Sequence, residues 1–296
     1  MASVDTISIL GPGLLGGSVA LAAKARGCAE KIHIWARREP AVDQIRELGI
    51  ADLASTDLAE VVADSQLIIL ATPVGVMPTL VSKLLELPLS RATIVTDLGS
   101  VKRNVVDSID QLLLSAGSGL RFVGSHPMAG KEQAGIEHAT ADLFQGAACV
   151  LTPGRSSDAS SVEQVREFWR ALGCNTSEMH AAEHDEAVAR ISHLPHLAAS
   201  LITATALEDS PSFGSVAGAG MRDTTRVASG SPEMWAEILL ENRSAIAPAL
   251  SLLRQKVDEA LELLEADDHE ALRRLLQQAK DLRDQLPSPP PPSDVD

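Results

Sequence analysis

Three groups of residues in this 296-residue chain have types and spacings that can do chemistry. The first is Gly11-Pro12-Gly13-Leu14-Leu15-Gly16, a G-x-G-x-x-G run that follows an apolar stretch and opens a segment rich in Ala and Leu. In that context Gly11 permits a tight turn, Gly13 lets a pyrophosphate approach the backbone, and Gly16 lets the next helix pack closely on the strand. Leu14 and Leu15 begin that helix, whose free N–H groups and positive dipole end would hold the phosphates. A nicotinamide dinucleotide is therefore the expected cofactor. Its usual ribose partner is an acid about 20 residues on. That place holds Ala36, followed by Arg37 and Arg38. Losing the acid removes repulsion against a 2′-phosphate, and two arginines offer charge-assisted bonds to one. The expectation is NADP in preference to NAD, with Glu39 as the ribose partner in the alternative.

The second group follows short apolar runs. Thr72-Pro73, Ser100 and His126 each come just after such a run. In an open α/β sheet, ligands lie at the carboxyl ends of the strands. Ser100 and His126 are therefore expected near the nicotinamide, with the hydroxyl fixing the imidazole's tautomer. His126 could then take a proton from a substrate hydroxyl, a contribution of roughly 10²–10⁴ in rate. The third group is Ser192-His193-Leu194-Pro195-His196, with Arg222 and Arg226 further on. A spacing of three places both imidazoles near one helix face. A cleft lined by His126, His193, His196 and Arg226 would suit an anionic substrate. His180-Ala181-Ala182-Glu183-His184 fits H-x-x-E-H, but it lacks a third ligand and is read as a helix start. No metal is expected.

Positioning these groups requires a particular frame. Residues 6–10, 32–35, 67–71, 93–96, 122–124 and 147–151 are short apolar runs bounded by Gly, Pro or Asp and read as buried strands. Residues 14–26 and 76–87 between them read as helices. The alternation implies a parallel, doubly wound α/β sheet of the Rossmann kind. Residues 161–172 add a helix and 174–178 an edge strand. From about residue 181 the pattern is helical only, in runs at 184–207, 232–253 and 257–286. The expected division is a dinucleotide-binding domain at 1–178, an all-α substrate and dimerisation domain at 179–286, and a disordered Pro-rich tail at 287–296.

Bulk properties narrow the class. The net charge of −15 argues against sequence-independent nucleic-acid binding, which needs a basic surface. No apolar run approaches the ~20 residues of a membrane span, and no signal peptide is legible. Three scattered cysteines make neither a disulfide framework nor a zinc ribbon, which fits a cytoplasmic protein.

Taken together the motifs resemble the prephenate/arogenate dehydrogenase family of tyrosine biosynthesis. The resembling stretches are GPGLLGGSVA at 11–20, LATPV at 70–74, VTDLGSVK at 95–102, VGSHPMAGKEQAGIEHA at 123–139, LFQGAACVLTP at 143–153, EHDEAVARISHLPHLAASL at 183–201 and RDTTRVA at 222–228. SHPMAG followed by SHLPH is far more specific than the glycine run. The resemblance implies a Rossmann domain, a helical domain that forms a homodimer, and oxidative decarboxylation of a cyclohexadienol. It implies that His126 is the histidine that bonds the ring hydroxyl, supported by Ser100. Arg226 would hold the ring carboxylate and His196 would contact substrate, with His193 beside it. The missing acid after the second strand departs from the family's common use of NAD. Two other readings are a hydroxyacid dehydrogenase of similar build and a non-catalytic NADP sensor. The former generally uses a helical-domain lysine, and Lys256 and Lys280 lie away from the histidines.

Overall fold

The computed structural model describes residues 4–131 and 133–286. The expected tail at 287–296 lies outside the described residues. Eight strands form one sheet: β1 (Val4–Leu10), β2 (Ala29–Trp35), β3 (Leu53–Ser55), β4 (Leu67–Leu70), β5 (Ile94–Asp97), β6 (Arg121–Pro127), β7 (Ala148–Pro153) and β8 (Asn175–Glu178). Their order is β3-β2-β1-β4-β5-β6-β7-β8. The direction of winding reverses between β1 and β4, so the crevice for a ligand opens there. Two features depart from the sequence reading. β3 was not expected, and the sheet is mixed because β7 runs antiparallel to β6. That return pairs His126 with Val150 and Pro127 with Cys149. β6 therefore runs on through Pro127, and His126 lies on the strand rather than in the loop after it.

The sheet is doubly covered because its strands are apolar at successive positions. Ile69 of β4 joins a core with Ile7, Ile9 and Val19, while Ile68 and Leu70 join a second core on the other face. The period-2 alternation of a strand sends neighbours to opposite faces. The first face is covered by α1 (Leu14–Arg26), α2 (Glu39–Leu48) and, further along the chain, α6 (Ala159–Ala171). The second is covered by α3 (Leu58–Val62), α4 (Met77–Leu85) and α5 (Arg103–Ser115).

After β8 come α7 (Ala181–Val188), α8 (Leu194–Leu207), α9 (Ala219–Thr225), α10 (Pro232–Glu241), α11 (Arg243–Glu265) and α12 (His269–Asp284). The run read as one helix from 184 is broken by a π turn at Ala189–His193. Pro195 comes just after that π turn, so its missing N–H falls where the regular i→i−4 ladder is already interrupted. The break expected near 253–257 falls instead at Asn242, and α11 carries Pro248 in its interior. The next break is set by Asp267, at φ 54°, and by Asp268, whose carboxylate caps α12 at Ala271 N–H. The chain divides into two compact units, one ending at Asn242 and one beginning at Arg243.

Candidate active site

The glycine turn has the shape a dinucleotide needs. Gly11 sits at φ 121°, and a Cβ there would lie 2.6 Å from the Ala71 carbonyl oxygen. A Cβ on Gly16 would overlap the Gly11 carbonyl. Around Gly13 the space is open, with no heavy atom within 4 Å of where a Cβ would stand. α1 has neither a side-chain cap nor an acid in its first turn, so its leading N–H groups remain for an anion. Beside the turn, the Thr72 hydroxyl is buried without a hydrogen-bond partner. An orphaned hydroxyl costs about 1–3 kcal/mol unless something bonds it. These features fit a dinucleotide, with Gly11, Gly13, Leu14, Leu15 and Gly16 forming the turn and Thr72-Pro73 closing the side formed by β4. At the end of β2, Ala36 is buried, and Arg37 and Arg38 are exposed. Neither guanidinium has a hydrogen bond or ion pair among the described residues, whereas the Arg38 carbonyl accepts from the N–H groups of Ala41 and Val42. Glu39 accepts a bond from the Thr56 hydroxyl at 2.9 Å.

His126 is buried at the end of β6. Its Nδ1 lies 2.8 Å from Nε2 of His184, and His184 Nδ1 lies 2.8 Å from Asp185 Oδ1. The Asp185 carboxylate also accepts the backbone N–H groups of Lys102 at 2.8 Å and Arg103 at 2.9 Å, at the start of α5. It thus takes three N–H bonds, two of them from the N-terminus of α5, the end of a helix where negative charge is stabilised. His126 Nε2 has no partner among the described residues. The expected bond from Ser100 is absent: His184 occupies His126 Nδ1, and Ser100 stands half-buried after β5 without a hydrogen bond among the described residues. Reading His184 only as part of a helix start missed its contacts with His126 and Asp185. The adjacent His184-Asp185 pair was the available signal.

Beneath this pair lies a buried ion pair. Lys102 and Asp97 are fully enclosed and joined to each other. Lys102 Nζ also donates to the Ser125 carbonyl at 2.9 Å, and Asp97 accepts from the backbone N–H of Gly99 at 2.9 Å and Ser125 at 3.0 Å. Burial pushes the His126 imidazole well below its usual basicity, and His184, Lys102 and His193 add to the effect. His126 is therefore neutral, and a potential proton acceptor, across the neutral range.

The helical residues converge on the same region. His193 ends the π turn almost fully buried. Asn242 Nδ2 donates to the Asp185 carbonyl at 2.9 Å and approaches His193 Nδ1 at 3.1 Å. Burial holds His193 at about 4, with Asp185 opposing the shift and His184 and His196 adding to it. His196 stacks on Trp235 of α10, with ring centroids 3.5 Å apart, and its Nε2 is buried without a partner. Trp235 also meets His193 edge to face at 6.1 Å. α10 in turn bonds the sheet side through Glu237 to Gly75 N–H and through Glu241 to Asn104. Arg226 begins a 3-10 turn after α9 and is exposed. Neither Asn242 nor Trp235 was singled out from sequence. No group of three or more His, Cys, Asp or Glu suited to a metal ion occurs among the described residues. Nor is any described helix long and apolar enough to cross a membrane. All three cysteines are free thiols.

A doubly wound sheet with a glycine turn at its switch point defines a dinucleotide-binding protein. Comparison with known proteins gives the family. The prephenate dehydrogenase nucleotide-binding domain matches residues 19–178, and the prephenate dehydrogenase dimerization domain matches residues 180–278. The chain belongs to the prephenate dehydrogenase family. It is 37% identical to the prephenate dehydrogenase of Bacillus subtilis over 96% of this chain and 76% of that protein. It is 31% identical to the cyclohexadienyl dehydrogenase of Zymomonas mobilis over 82% and 83%. Among solved structures it resembles prephenate dehydrogenase from A. aeolicus in complex with hydroxyphenyl propionate and NAD+. There the TM-score is 0.85 at 30% identity, covering 95% of this chain and 98% of that one. Synechocystis arogenate dehydrogenase gives 0.80 at 33% identity, covering 94% and 99%.

Proposed function

We propose that this chain is a prephenate or arogenate dehydrogenase, and that His126 is its general base. The observation that carries the reading is the bare Nε2 of a buried, neutral His126, held at the carboxyl end of β6 by a bond at its other nitrogen. In this reaction His126 Nε2 takes the proton of the ring hydroxyl as the carbinol carbon gives up its hydride. A bound nicotinamide would supply the two-electron acceptor for that hydride. The bond to the ring carboxylate then breaks, its electron pair enters the ring, and carbon dioxide leaves. His126 returns the proton to the oxygen as the ring becomes aromatic. Aromatisation makes the step effectively irreversible, so the protein's part is to position the ring and manage one proton.

Arg226 is read as the partner of the ring carboxylate, His196 as a substrate contact with its free Nε2, and His193 as a neighbour on the same face. Ser100 is read as lining the nicotinamide side. Arg37 and Arg38 support a preference for NADP over NAD, since both guanidinium groups are exposed and without partners among the described residues where a 2′-phosphate would lie. The division into 1–178 and 179–286 is supported by the spans of the two family matches. A homodimer is supported by the family's description of the second span and by the exposed Leu252, Val257, Leu261 and Leu264 of α11.

Steady-state assays with prephenate and arogenate, each with NAD and NADP, test the whole reading. Turnover of one ring substrate with release of a 4-hydroxyphenyl product is expected. Dinucleotide binding with no turnover of either would instead make the chain a sensor.

A further inference from the structure

Two of the buried histidines, His126 and His193, are held by different kinds of partner, and the partners dictate where their protons sit. Asp185 is an acceptor at both carboxylate oxygens, so the His184 nitrogen 2.8 Å from it, Nδ1, must carry a proton. In neutral His184, Nε2 is then a lone pair. The bond at 2.8 Å to His126 therefore runs from His126 Nδ1–H to His184 Nε2. A neutral His126 with its proton on Nδ1 has a bare Nε2. His193 is set by the opposite logic. The Asp185 carbonyl can only accept, so the Asn242 atom 2.9 Å from it is the amide nitrogen and not the amide oxygen. That nitrogen has a second hydrogen, and it lies 3.1 Å from His193 Nδ1. His193 Nδ1 must accept, which puts the His193 proton on Nε2. One residue, Asp185, anchors both chains: its carboxylate through His184 and its carbonyl through Asn242.

We infer that His184 and Asn242 are positioning residues that lock His126 and His193 in opposite tautomers, making one a proton acceptor and the other a hydrogen-bond donor toward the same substrate. The inference rests on the reading of His126 as general base. It adds a specificity element, because an acceptor and a donor side by side match a group that gives one hydrogen bond and takes another. A ring hydroxyl beside a carbonyl or carboxylate oxygen has that pattern. His184 has a second part in turnover. As His126 gains a proton at Nε2, its Nδ1–H bond to His184 strengthens, and the Asp185 carboxylate stabilises the charge through His184 Nδ1–H. No proton leaves the chain of residues, and the one on Nε2 goes back to the substrate oxygen.

The test has an arm that needs no catalysis. The full chain labelled with 15N-histidine is examined by NMR at pH 8, with His126 and His193 signals assigned through His126→Asn and His193→Asn. The expected result is a proton on Nδ1 of His126 and on Nε2 of His193. The same tautomer for both, or a proton on Nε2 of His126, overturns the inference even if the enzyme turns over its substrate. The second arm compares His184→Leu with His184→Gln, whose amide oxygen can still accept from His126. His184→Leu is expected to lower kcat about 10–100-fold with KM for dinucleotide and ring substrate within threefold, and His184→Gln to recover most of the loss. Equal activity of both variants, whether near that of the unmodified chain or far below it, overturns the role of His184. If the unmodified chain turns over neither ring substrate, the functional reading fails, while the NMR arm still decides the tautomers.

Discussion

His126 and His184 stand 58 residues apart in the chain and meet with 2.8 Å between Nδ1 and Nε2, their rings crossing edge to face at 69°. The bond ties β6 of the sheet to α7, the first helix after it. It makes the geometry of the proposed base depend on the helical segment as much as on the strand that carries it.

Replacing the base should therefore separate chemistry from cofactor binding. His126→Asn keeps a polar side chain on β6 but removes the proton acceptor. A fall in kcat of about 10²–10⁴ is expected, with the dinucleotide Kd, read by fluorescence titration, changed less than threefold. An unchanged kcat would remove the proposed role.

Acid should destabilise the fold through the buried histidines. His193 is held at about 4 and His126 well below 6.5, whereas both return to about 6.5 in the unfolded chain. Below about pH 6.5 the unfolded chain binds protons that the folded chain refuses. The stability from keeping these rings neutral is fully present above that pH and is lost as pH falls toward 4. For His193 the loss is on the order of 3 kcal/mol across the window. Thermal unfolding should give a Tm that is flat above pH 7 and falls between 6.5 and 4. A Tm that rises from pH 7 to 5 contradicts the assignment.

The Lys102–Asp97 pair should behave as a unit. Both side chains are fully buried, so removing one leaves an uncompensated charge away from water. Lys102→Met should cost about 3–5 kcal/mol in urea unfolding. Lys102→Met combined with Asp97→Asn should cost less than the two single losses added together. Additive losses would show that the pair is not coupled.

Cofactor choice should respond to the end of β2 and to the orphaned hydroxyl beside the glycine turn. The double variant Arg37→Ala/Arg38→Ala is expected to lose about tenfold or more in kcat/KM with NADP while changing less than twofold with NAD. Equal losses with both would assign the arginines no part in the choice. Thr72→Val removes a buried hydroxyl that has no protein partner, so the free protein should unfold no more easily. Its dinucleotide affinity should drop about fivefold, near the net value of one hydrogen bond. Unchanged affinity would take Thr72 out of the site.

Much of this protein is local information. β1, the glycine turn and α1 were legible because each is written in consecutive residues: an apolar run, glycines at fixed offsets, then Ala and Leu. The bounds read for α1 agree with Leu14–Arg26. His126 was singled out for the same reason, as a histidine after an apolar run. β3 escaped because Leu53–Ser55 is three residues long and carries no periodic signal. The antiparallel turn of β7 escaped because strand direction depends on how the connection folds back, not on the apolar run itself.

By itself the sequence determined the frame, namely which runs are buried and where the glycine turn falls, and it put forward His126, His193, His196 and Arg226 as candidates. Only the tertiary structure decided what each candidate meets. It replaced Ser100 with His184 as the partner of His126 and made Asp185 the anchor of two hydrogen-bond chains. It also broke the helix at Asn242, where an amide bonds the Asp185 carbonyl and His193. Apart from the contact between the neighbours His184 and Asp185, those decisions are made by hydrogen bonds between residues 49 to 83 positions apart. Burial favours such bonds strongly, because a polar group removed from water without a partner costs free energy. Which partner it finds depends on what the fold brings within 3 Å, and spacing along the chain does not carry that.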